Sequence, residues 1–167
     1  AIVRVFNVTG STGTLLPGPL GHFLPFGMSY RSGVNVAAGN YDKVGTDDVI
    51  VGQSGVQGRV VVFGVVAGQR KVLANFLPFG VLHSGVTVTA ADFNGDGFAE
   101  IVVGAGAGAI GNVRIFRGGT TTLLGAFNAY ANTQGVRLAV GDSNGDGKPD
   151  TIITGPGPGT TASKLKR

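Results

Sequence analysis

The 167-residue chain contains no cysteine and no tryptophan. Without cysteine it has no disulfide bond, no thiolate zinc site and no thiol nucleophile. No apolar run is long enough to cross a bilayer. Hydrophobic residues nevertheless make up 43% of the chain, which argues against intrinsic disorder. We therefore expect one folded domain without a membrane span, held together by packing and turns.

Acidic residues are missing from most of the chain. All nine lie in three windows, 40–48, 92–100 and 142–150. Carboxylates placed this closely repel one another unless a cation lies between them. Since every carboxylate belongs to a window, no Asp/Glu pair is left for acid–base or glycosidase chemistry. We therefore expect a protein that is not an enzyme.

Glycine is abundant, at 31 of 167 residues, and the sequence repeats itself at intervals of roughly 50–57 residues. One repeated segment is Val-x-Val-Phe, found at 3–6 and 60–63 and as Val-Arg-Ile-Phe at 113–116. Another is Phe-Leu-Pro-Phe-Gly, at 23–27 and 76–80, with a looser copy at 127–130. Because Phe6, Phe63 and Phe116 share one repeat position, we expect all three in the core.

Each repeat predicts four short strands, and no helical period occurs. Strands are expected to lead into the windows at 34–38, 86–91 and 136–140, and to leave them at 49–51, 101–103 and 151–153. The Val-x-Val-Phe segments form the next strand, and 14–16, 72–76 and 122–127 form the fourth. The strands that leave the windows are continuous apolar runs, which predicts burial on both faces. The fold class is therefore all-β.

Alternating side-chain oxygens make two of the windows candidate metal sites. In the second window the ligands would be Asp92, Asn94, Asp96, the carbonyl of Phe98 and Glu100. The corresponding ligands of the third window are Asp142, Asn144, Asp146, the carbonyl of Lys148 and Asp150. Oxygen ligands with three negative charges favour Ca²⁺ over zinc or copper. An EF-hand would need an acid at position 12, where this chain has Val103 and Ile153.

The first window is a degraded copy of the other two. Asn40 and Val44 stand where the other windows have acids, while Asp42 and Asp48 keep their places. We expect this loop, with Asn40, Asp42 and Asp48 as its ligands, to bind a cation weakly or to be held by hydrogen bonds alone.

The loop Asp-x-Asn-x-Asp-Gly-x-x-Asp between two short strands, followed by Gly-rich and Val-x-Val-Phe segments, resembles the FG-GAP repeats of integrin α-subunit propellers. The resemblance is greatest to long secreted bacterial FG-GAP proteins, such as those of planctomycetes, and covers residues 2 to about 158. The loops at 92–100 and 142–150 match the pattern except for Glu at 100, and loop 40–48 departs from it. The resemblance implies a β-propeller in which a calcium loop joins the first two strands of each four-stranded blade.

The blade frame of that family divides the chain unevenly. It implies a half-blade at 2–27, blades at 34–80 and 86–130, a half-blade at 136–157 and a basic tail at 161–167. Three blades' worth of strands are too few to close a propeller, which typically has about 4–8 blades. We therefore expect a homodimer in which complementary half-blades close a six-bladed ring. A fragment of a longer propeller and an open head-to-tail filament are the alternatives.

These features predict a non-enzymatic calcium-binding propeller module for extracellular binding or assembly, secreted or on a bacterial cell surface. The alternatives are a lectin-like propeller and an accessory domain of a secreted hydrolase or lyase. A protein or a glycan would be the ligand, with no role for nucleic acid, since the basic residues are spread along the chain. His22 and His83 are expected to be ordinary loop histidines. Because the chain begins in strand-like sequence, we expect a mature or excised piece.

Overall fold

A computed structural model describes residues 1–55, 57–81, 84–131 and 134–157. Within these ranges the chain is all-β, as the sequence predicts, and the ranges contain no helix that could span a membrane. The strands are β1 (Val3–Arg4), β2 (Phe6–Thr9), β3 (Thr12–Leu15), β4 (His22–Phe23), β5 (Val34–Gly39), β6 (Asp48–Gln53), β7 (Val60–Val66), β8 (Gln69–Phe76), β9 (Val86–Ala91), β10 (Glu100–Ala105), β11 (Gly111–Phe116), β12 (Leu123–Tyr130), β13 (Val136–Gly141) and β14 (Thr151–Pro156).

The strands form two complete sheets and two smaller end units. Sheet 1 has the order β5-β6-β7-β8, and sheet 2 consists of β9 to β12 in sequence order, both antiparallel. The C-terminal pair is β13 with β14, and the N-terminal hairpin, residues 3–23, pairs β1 with β4 and β2 with β3. The two sheets share one register, because Ile50 faces Val62 in sheet 1 as Val102 faces Ile115 in sheet 2.

The N-terminal hairpin is a two-stranded ladder with an excursion in its second strand. Val3 pairs with Phe23 as Val60 pairs with Phe76 in sheet 1. Residues 16–21 loop out of the ladder, and Val5 holds both ends, donating to Gly21 O at 3.0 Å and accepting from Leu16 N at 2.8 Å. The expected strand at 14–16 therefore lies at 12–15. The expectation that His22 is in a loop is wrong, since it lies in β4.

The units pack in chain order, each against the next. Val3 and Phe23 of the hairpin bury their side chains with Val51 and Phe63 of sheet 1. The opposite face of sheet 1, with Ile50 and Val62, packs on Val88 and Ile101 of sheet 2. Val102 and Val113 on the far face of sheet 2 meet Val136 of the C-terminal pair. A sheet is therefore fully covered only where it has a neighbour on both sides.

Burial of the strands follows this order of packing. Every residue of β6 and of β10 is buried, as predicted for the strands that leave the acidic windows. The same prediction is wrong for β14, whose residues are half-buried or exposed, because its sheet has only two strands. The prediction that Phe6 is a core residue is also wrong. Phe63 and Phe116 are 6% and 5% exposed, whereas Phe6 is 51% exposed because no described residue covers its face.

The first strands of the three repeats lie side by side. β9 contacts both β5 and β13. The amide of Asn35 donates to Val86 O at 2.8 Å, and the hydroxyl of Thr87, one repeat later, donates to Val136 O at 2.7 Å. Equivalent positions thus link successive repeats through the backbone.

The C-terminal pair is one residue out of register with the two sheets. Residues 39 and 91 pair with Asp48 and Glu100, the last residues of their windows, but Gly141 pairs with Thr151. Asp150 lies before the assigned strand and still donates its N–H to Gly141 O at 3.0 Å, so two residues oppose Gly141. Proline explains the shift. Ser54 N and Gly106 N donate to the glycine before the first strand, and the same repeat position here is Pro156, which has no N–H. Gly157 N donates to Gly135 O instead, at 3.1 Å.

Candidate metal loops

Loop 92–100 joins β9 to β10, and its acidic side chains organise its own backbone. Asp92 accepts from Gly95 N through Oδ1 and from Gly97 N through Oδ2, both at 2.8 Å. Asn94 Oδ1 accepts from Asp96 N at 2.8 Å, and Asp96 Oδ1 accepts from Phe98 N at 2.9 Å. Alternating oxygens therefore point to the inside of one tight turn.

Loop 142–150 joins β13 to β14 with the same scaffold. Asp142 accepts from Gly145 N at 2.6 Å and from Gly147 N at 2.7 Å. Asn144 Oδ1 accepts from Asp146 N at 2.9 Å, and Asp146 Oδ1 accepts from the N–H of residue 148 at 2.8 Å. The structure thus places both predicted ligand sets in one backbone conformation.

That conformation needs a positive φ at positions 4 and 6 of the loop. Gly95 and Gly97 have φ of 73° and 88°, and Gly145 and Gly147 have 79° and 84°. In loop 40–48 position 4 is Lys43, which takes the same conformation at φ 61° although a side chain disfavours it. The first loop therefore keeps the turn at a cost in backbone strain.

The closing carboxylate of loop 92–100 is buried and incompletely hydrogen-bonded. Glu100 is 2% exposed, and its Oε2 accepts from Phe93 N at 3.1 Å. Its Oε1 is buried without a hydrogen-bond partner among the described residues. Burial raises the pKa of Glu100 and the nearby Asp96 and Asp92 carboxylates raise it further, while the backbone N–H groups of Phe93 and Gly118 offset part of the rise. An oxygen left in this state is suited to a cation.

The closing carboxylate of loop 142–150 has the opposite surroundings. Asp150 is exposed, and its Oδ1 accepts from Ser143 N, from Ser143 Oγ and from Thr151 Oγ1. These hydrogen bonds, that of Thr151 above all, lower the pKa of Asp150. One of the two carboxylate oxygens is thus satisfied by hydrogen bonds from Ser143 and Thr151.

Loop 40–48 is held by hydrogen bonds and by its neighbour. Asp48 is buried and accepts from Tyr41 N at 2.9 Å, and burial raises its pKa to about 6. Asp42 Oδ1 accepts from Val44 N at 2.9 Å. The Tyr41 hydroxyl donates to Thr120 O at 2.7 Å, which ties the loop to the β11–β12 turn.

Sequence reasoning missed Lys43. Its ammonium donates to Asp96 O at 2.7 Å and lies 5.4 Å from the centre of the Phe98 ring. A cation of the degraded loop therefore sits on the backbone of the next loop. The available signal was the lysine at position 4, where the other two windows have glycine.

Comparison with known families adds one match. Residues 92–153 match an FG-GAP-like repeat. The matched segment begins at loop 92–100, includes β10 to β13, and ends in β14 just after loop 142–150. Neither the comparison with curated proteins nor that with solved structures found a match. The FG-GAP-like repeat supports the family resemblance over the part of the chain where the acidic loops are intact.

Within the FG-GAP-like repeat, the loop oxygens do not yet form a closed shell. No three Asp, Glu or His side chains of the described residues converge on one point. Asp92 and Asp96 instead turn to the N–H groups of their own loop. Asp92 Oδ1 accepts two hydrogen bonds, whereas Asp92 Oδ2 and the two Asp96 carboxylate oxygens accept one each and keep a further lone pair. The fit to Ca²⁺ therefore depends on the free Oε1 of Glu100 and on the oxygen-only ligand set.

The other candidate residues have structural roles or lie outside the description. The three tyrosine hydroxyls donate to backbone carbonyls: Tyr30 to Ser54, Tyr41 to Thr120 and Tyr130 to Thr154. His22 is exposed in β4. His83 and the basic tail at 161–167 lie outside the described residues.

Proposed function

We propose that this chain is a non-enzymatic, calcium-stabilised β-propeller module that acts in extracellular binding or assembly, secreted or on a bacterial cell surface. The observation that carries the proposal is the buried Glu100 carboxylate with its free Oε1, at the end of a turn already lined by Asp92, Asn94 and Asp96. Ca²⁺ bound there would neutralise three carboxylates and bring no open catalytic position.

The packing of the repeats supports a propeller. Propeller blades place their first strands next to the central axis. Here β5, β9 and β13 are neighbours, and Asn35 and Thr87 connect each to the next. Each sheet also packs face to face on the next in chain order.

The two ends support closure by a homodimer. The N-terminal hairpin corresponds to the third and fourth strands of a blade, and the C-terminal pair corresponds to the first and second. Two copies would join each pair to the hairpin of the other and give six blades. A fragment of a longer propeller and an open filament use the same ends, and the mass of the particle in solution distinguishes all three.

The lectin alternative has less support. It would be favoured by aromatic side chains exposed at repeated positions. The chain has three tyrosines, and the hydroxyl of each is bound to a backbone carbonyl.

Melting curves with Ca²⁺ and with chelator test the calcium proposal. We expect Ca²⁺ to raise the melting temperature, since a ligand that binds only the folded chain stabilises it. Asp96→Ala and Asp146→Ala should each weaken the response, and the double variant should abolish it. Asp47→Ala, which removes an exposed window carboxylate outside the ligand sets, is the matched control. An unchanged response in the double variant would show that the loops are not the calcium sites.

A further inference from the structure

A contact between two phenylalanine rings occurs twice inside the chain, and an exposed phenylalanine near each end has the repeat position of one partner in that contact. Phe23 of the hairpin meets Phe63 of sheet 1, and Phe76 of sheet 1 meets Phe116 of sheet 2, with ring centres 4.9 Å apart in both cases. In the repeat, residue 127 follows residues 23 and 76, and residue 6 precedes residues 63 and 116. Phe127 and Phe6 are 42% and 51% exposed. Within the described residues, Phe6 and Phe127 therefore carry the two halves of a third contact of this kind that is not made.

An arginine accompanies the contact between the sheets. The Arg114 guanidinium lies 4.9 Å from the ring centre of Phe79 and donates to Pro78 O at 2.6 Å. Arg4 has the repeat position of Arg114 and is exposed. Residues 129–130, an alanine and a tyrosine, have the repeat positions of Pro78 and Phe79. The ends thus match in a polar contact as well as in an apolar one.

A groove marks the place where the missing strands of the third sheet belong. It has a volume of about 420 Å³, and its apolar wall consists of Phe93, Ile115, Leu124 and Ile152. In sheet 1 the residue corresponding to Leu124 is Leu73, which packs against sheet 2. The groove therefore continues the sheet-to-sheet interface already present in the chain, beyond the edge of β14.

The chain's own hairpin is not available to fill the groove. It packs on sheet 1 through Val3 and Phe23, and sheet 2 lies between sheet 1 and the C-terminal pair. The hairpin of the same chain therefore does not reach β14, whose described pairing is with β13 alone, whereas the hairpin of another copy can.

The observed register fixes which residues would meet. Val102 pairs with Thr89 on one side and with Ile115 on the other. The shifted C-terminal pair puts Ile153 in the place of Val102, opposite Ala139. Val5 has the repeat position of Ile115. The two strands would run antiparallel. Each residue further toward the C-terminus of β14 therefore faces a residue further toward the N-terminus of β1.

We propose that β1 of a second copy pairs with the free edge of β14, with its Val5 opposite Ile153 and its Arg4 opposite Thr154. Phe6 of the second copy then packs on Phe127, and Arg4 covers the Tyr130 ring and donates to Ala129 O. The pairing rests on the proposed homodimer and assigns its interface.

The absence of cysteine makes the register testable by cross-linking. In this pairing Val5 and Ile153 form a non-hydrogen-bonded pair, whose Cα atoms lie about 4.5 Å apart, within reach of a disulfide. Val5→Cys/Ile153→Cys should give a covalent dimer on mild oxidation. Val5→Cys/Ile152→Cys is the matched control, because a shift of one residue turns the side chain to the other face. Cross-linking in the control alone, or in neither variant, would overturn the proposal.

The mass of the particles in solution tests the strand pairing independently of ring closure and of calcium binding. A covalent dimer is expected for a closed ring, whereas a ladder of longer products would support the pairing and overturn ring closure. Phe6→Ala and Phe127→Ala should each raise the dimer dissociation constant at least about tenfold. Ile110→Ala, at an equally exposed turn away from both ends, should not. A wild-type monomer at micromolar concentration that still melts higher in Ca²⁺ would overturn the pairing and leave the calcium sites standing.

Discussion

The loops at 92–100 and 142–150 share their ligand pattern and their backbone hydrogen bonds, yet their closing carboxylates differ in burial, in the direction of the pKa shift and in their side-chain partners. Glu100 is buried, has a raised pKa and keeps one oxygen without a described partner. Asp150 is exposed, has a lowered pKa and accepts hydrogen bonds from Ser143 and Thr151. The loop sequence therefore does not by itself determine how strongly a site attracts a cation.

Two features outside the loops produce the difference. Glu100 begins the second strand of a four-stranded sheet, and the turn at 117–119 packs beside it. Among the residues that the structure describes, no third strand joins the C-terminal pair to cover Asp150. In addition, the register of β14 is shifted by one residue, which places Asp150 before the strand rather than at its first position. Burial of the closing carboxylate is thus set by the completeness and register of the sheet behind it.

The largest expected effect compares a buried residue of four-stranded sheet 2 with its counterpart in the two-stranded C-terminal pair. The register puts Ile152 in the place of Ile101, but Ile101 is fully buried and Ile152 is half-buried. Ile101→Ala should lower the free energy of unfolding by about 2–5 kcal/mol. Ile152→Ala should cost roughly 1 kcal/mol, because less apolar area is lost. Urea unfolding at low protein concentration measures both, and equal costs would contradict the comparison. At higher concentration the cost at Ile152 should grow if a second copy covers the groove.

The next effect concerns calcium. At a Ca²⁺ concentration about 100 times the dissociation constant, one site adds about 2.7 kcal/mol, or roughly 5–10 °C in melting temperature. Glu100→Gln should remove most of this rise, since it neutralises the carboxylate with the free oxygen. Asp150→Asn should remove the smaller part, since Ser143 and Thr151 already satisfy Asp150. Melting curves in chelator provide the baseline for each variant, and a larger loss in Asp150→Asn would reverse the ranking of the loops.

Loop 40–48, which lacks an intact ligand set, should make the stability of the protein depend on pH. Burial raises the pKa of Asp48 from 3.8 to about 6, so folding favours its neutral form. The stability that this provides is fully present below about pH 4 and is lost as the pH rises through about 6. In chelator, Asp48→Asn should melt about 2–4 °C above the wild type at pH 8, and the difference should vanish near pH 4. The pKa of Asp150 is lowered instead, so Asp150→Asn should not gain stability at pH 8.

Much of the fold follows from local pattern. The strands beside the windows and the turns with glycine at positions 4 and 6 follow from apolar runs, spacing and backbone sterics. The exposure of Phe6 could not be predicted in this way, because it depends on whether a neighbouring sheet exists. Lys43 reaches Asp96 across 53 positions of sequence, a contact that only the packing of sheet 1 on sheet 2 creates. The environment of Asp150 depends on a proline six residues away that acts through strand pairing.

The smallest expected effect on stability belongs to Pro156→Ala, which tests whether this proline causes the register shift beside Asp150. Pro156→Ala restores an N–H, so residue 156 can donate to Gly135 O as Gly106 donates to Gly85 O. The effect on stability should stay within about 1 kcal/mol, but β14 should return to the register of sheet 2. Cysteines report this within one chain: Leu138→Cys/Thr154→Cys matches the observed register, and Leu138→Cys/Ile153→Cys matches that of Val88 and Val103. Oxidation should join the first pair in the parent chain and the second pair in Pro156→Ala. If the first pair still forms in Pro156→Ala, proline is not what shifts the register of β14.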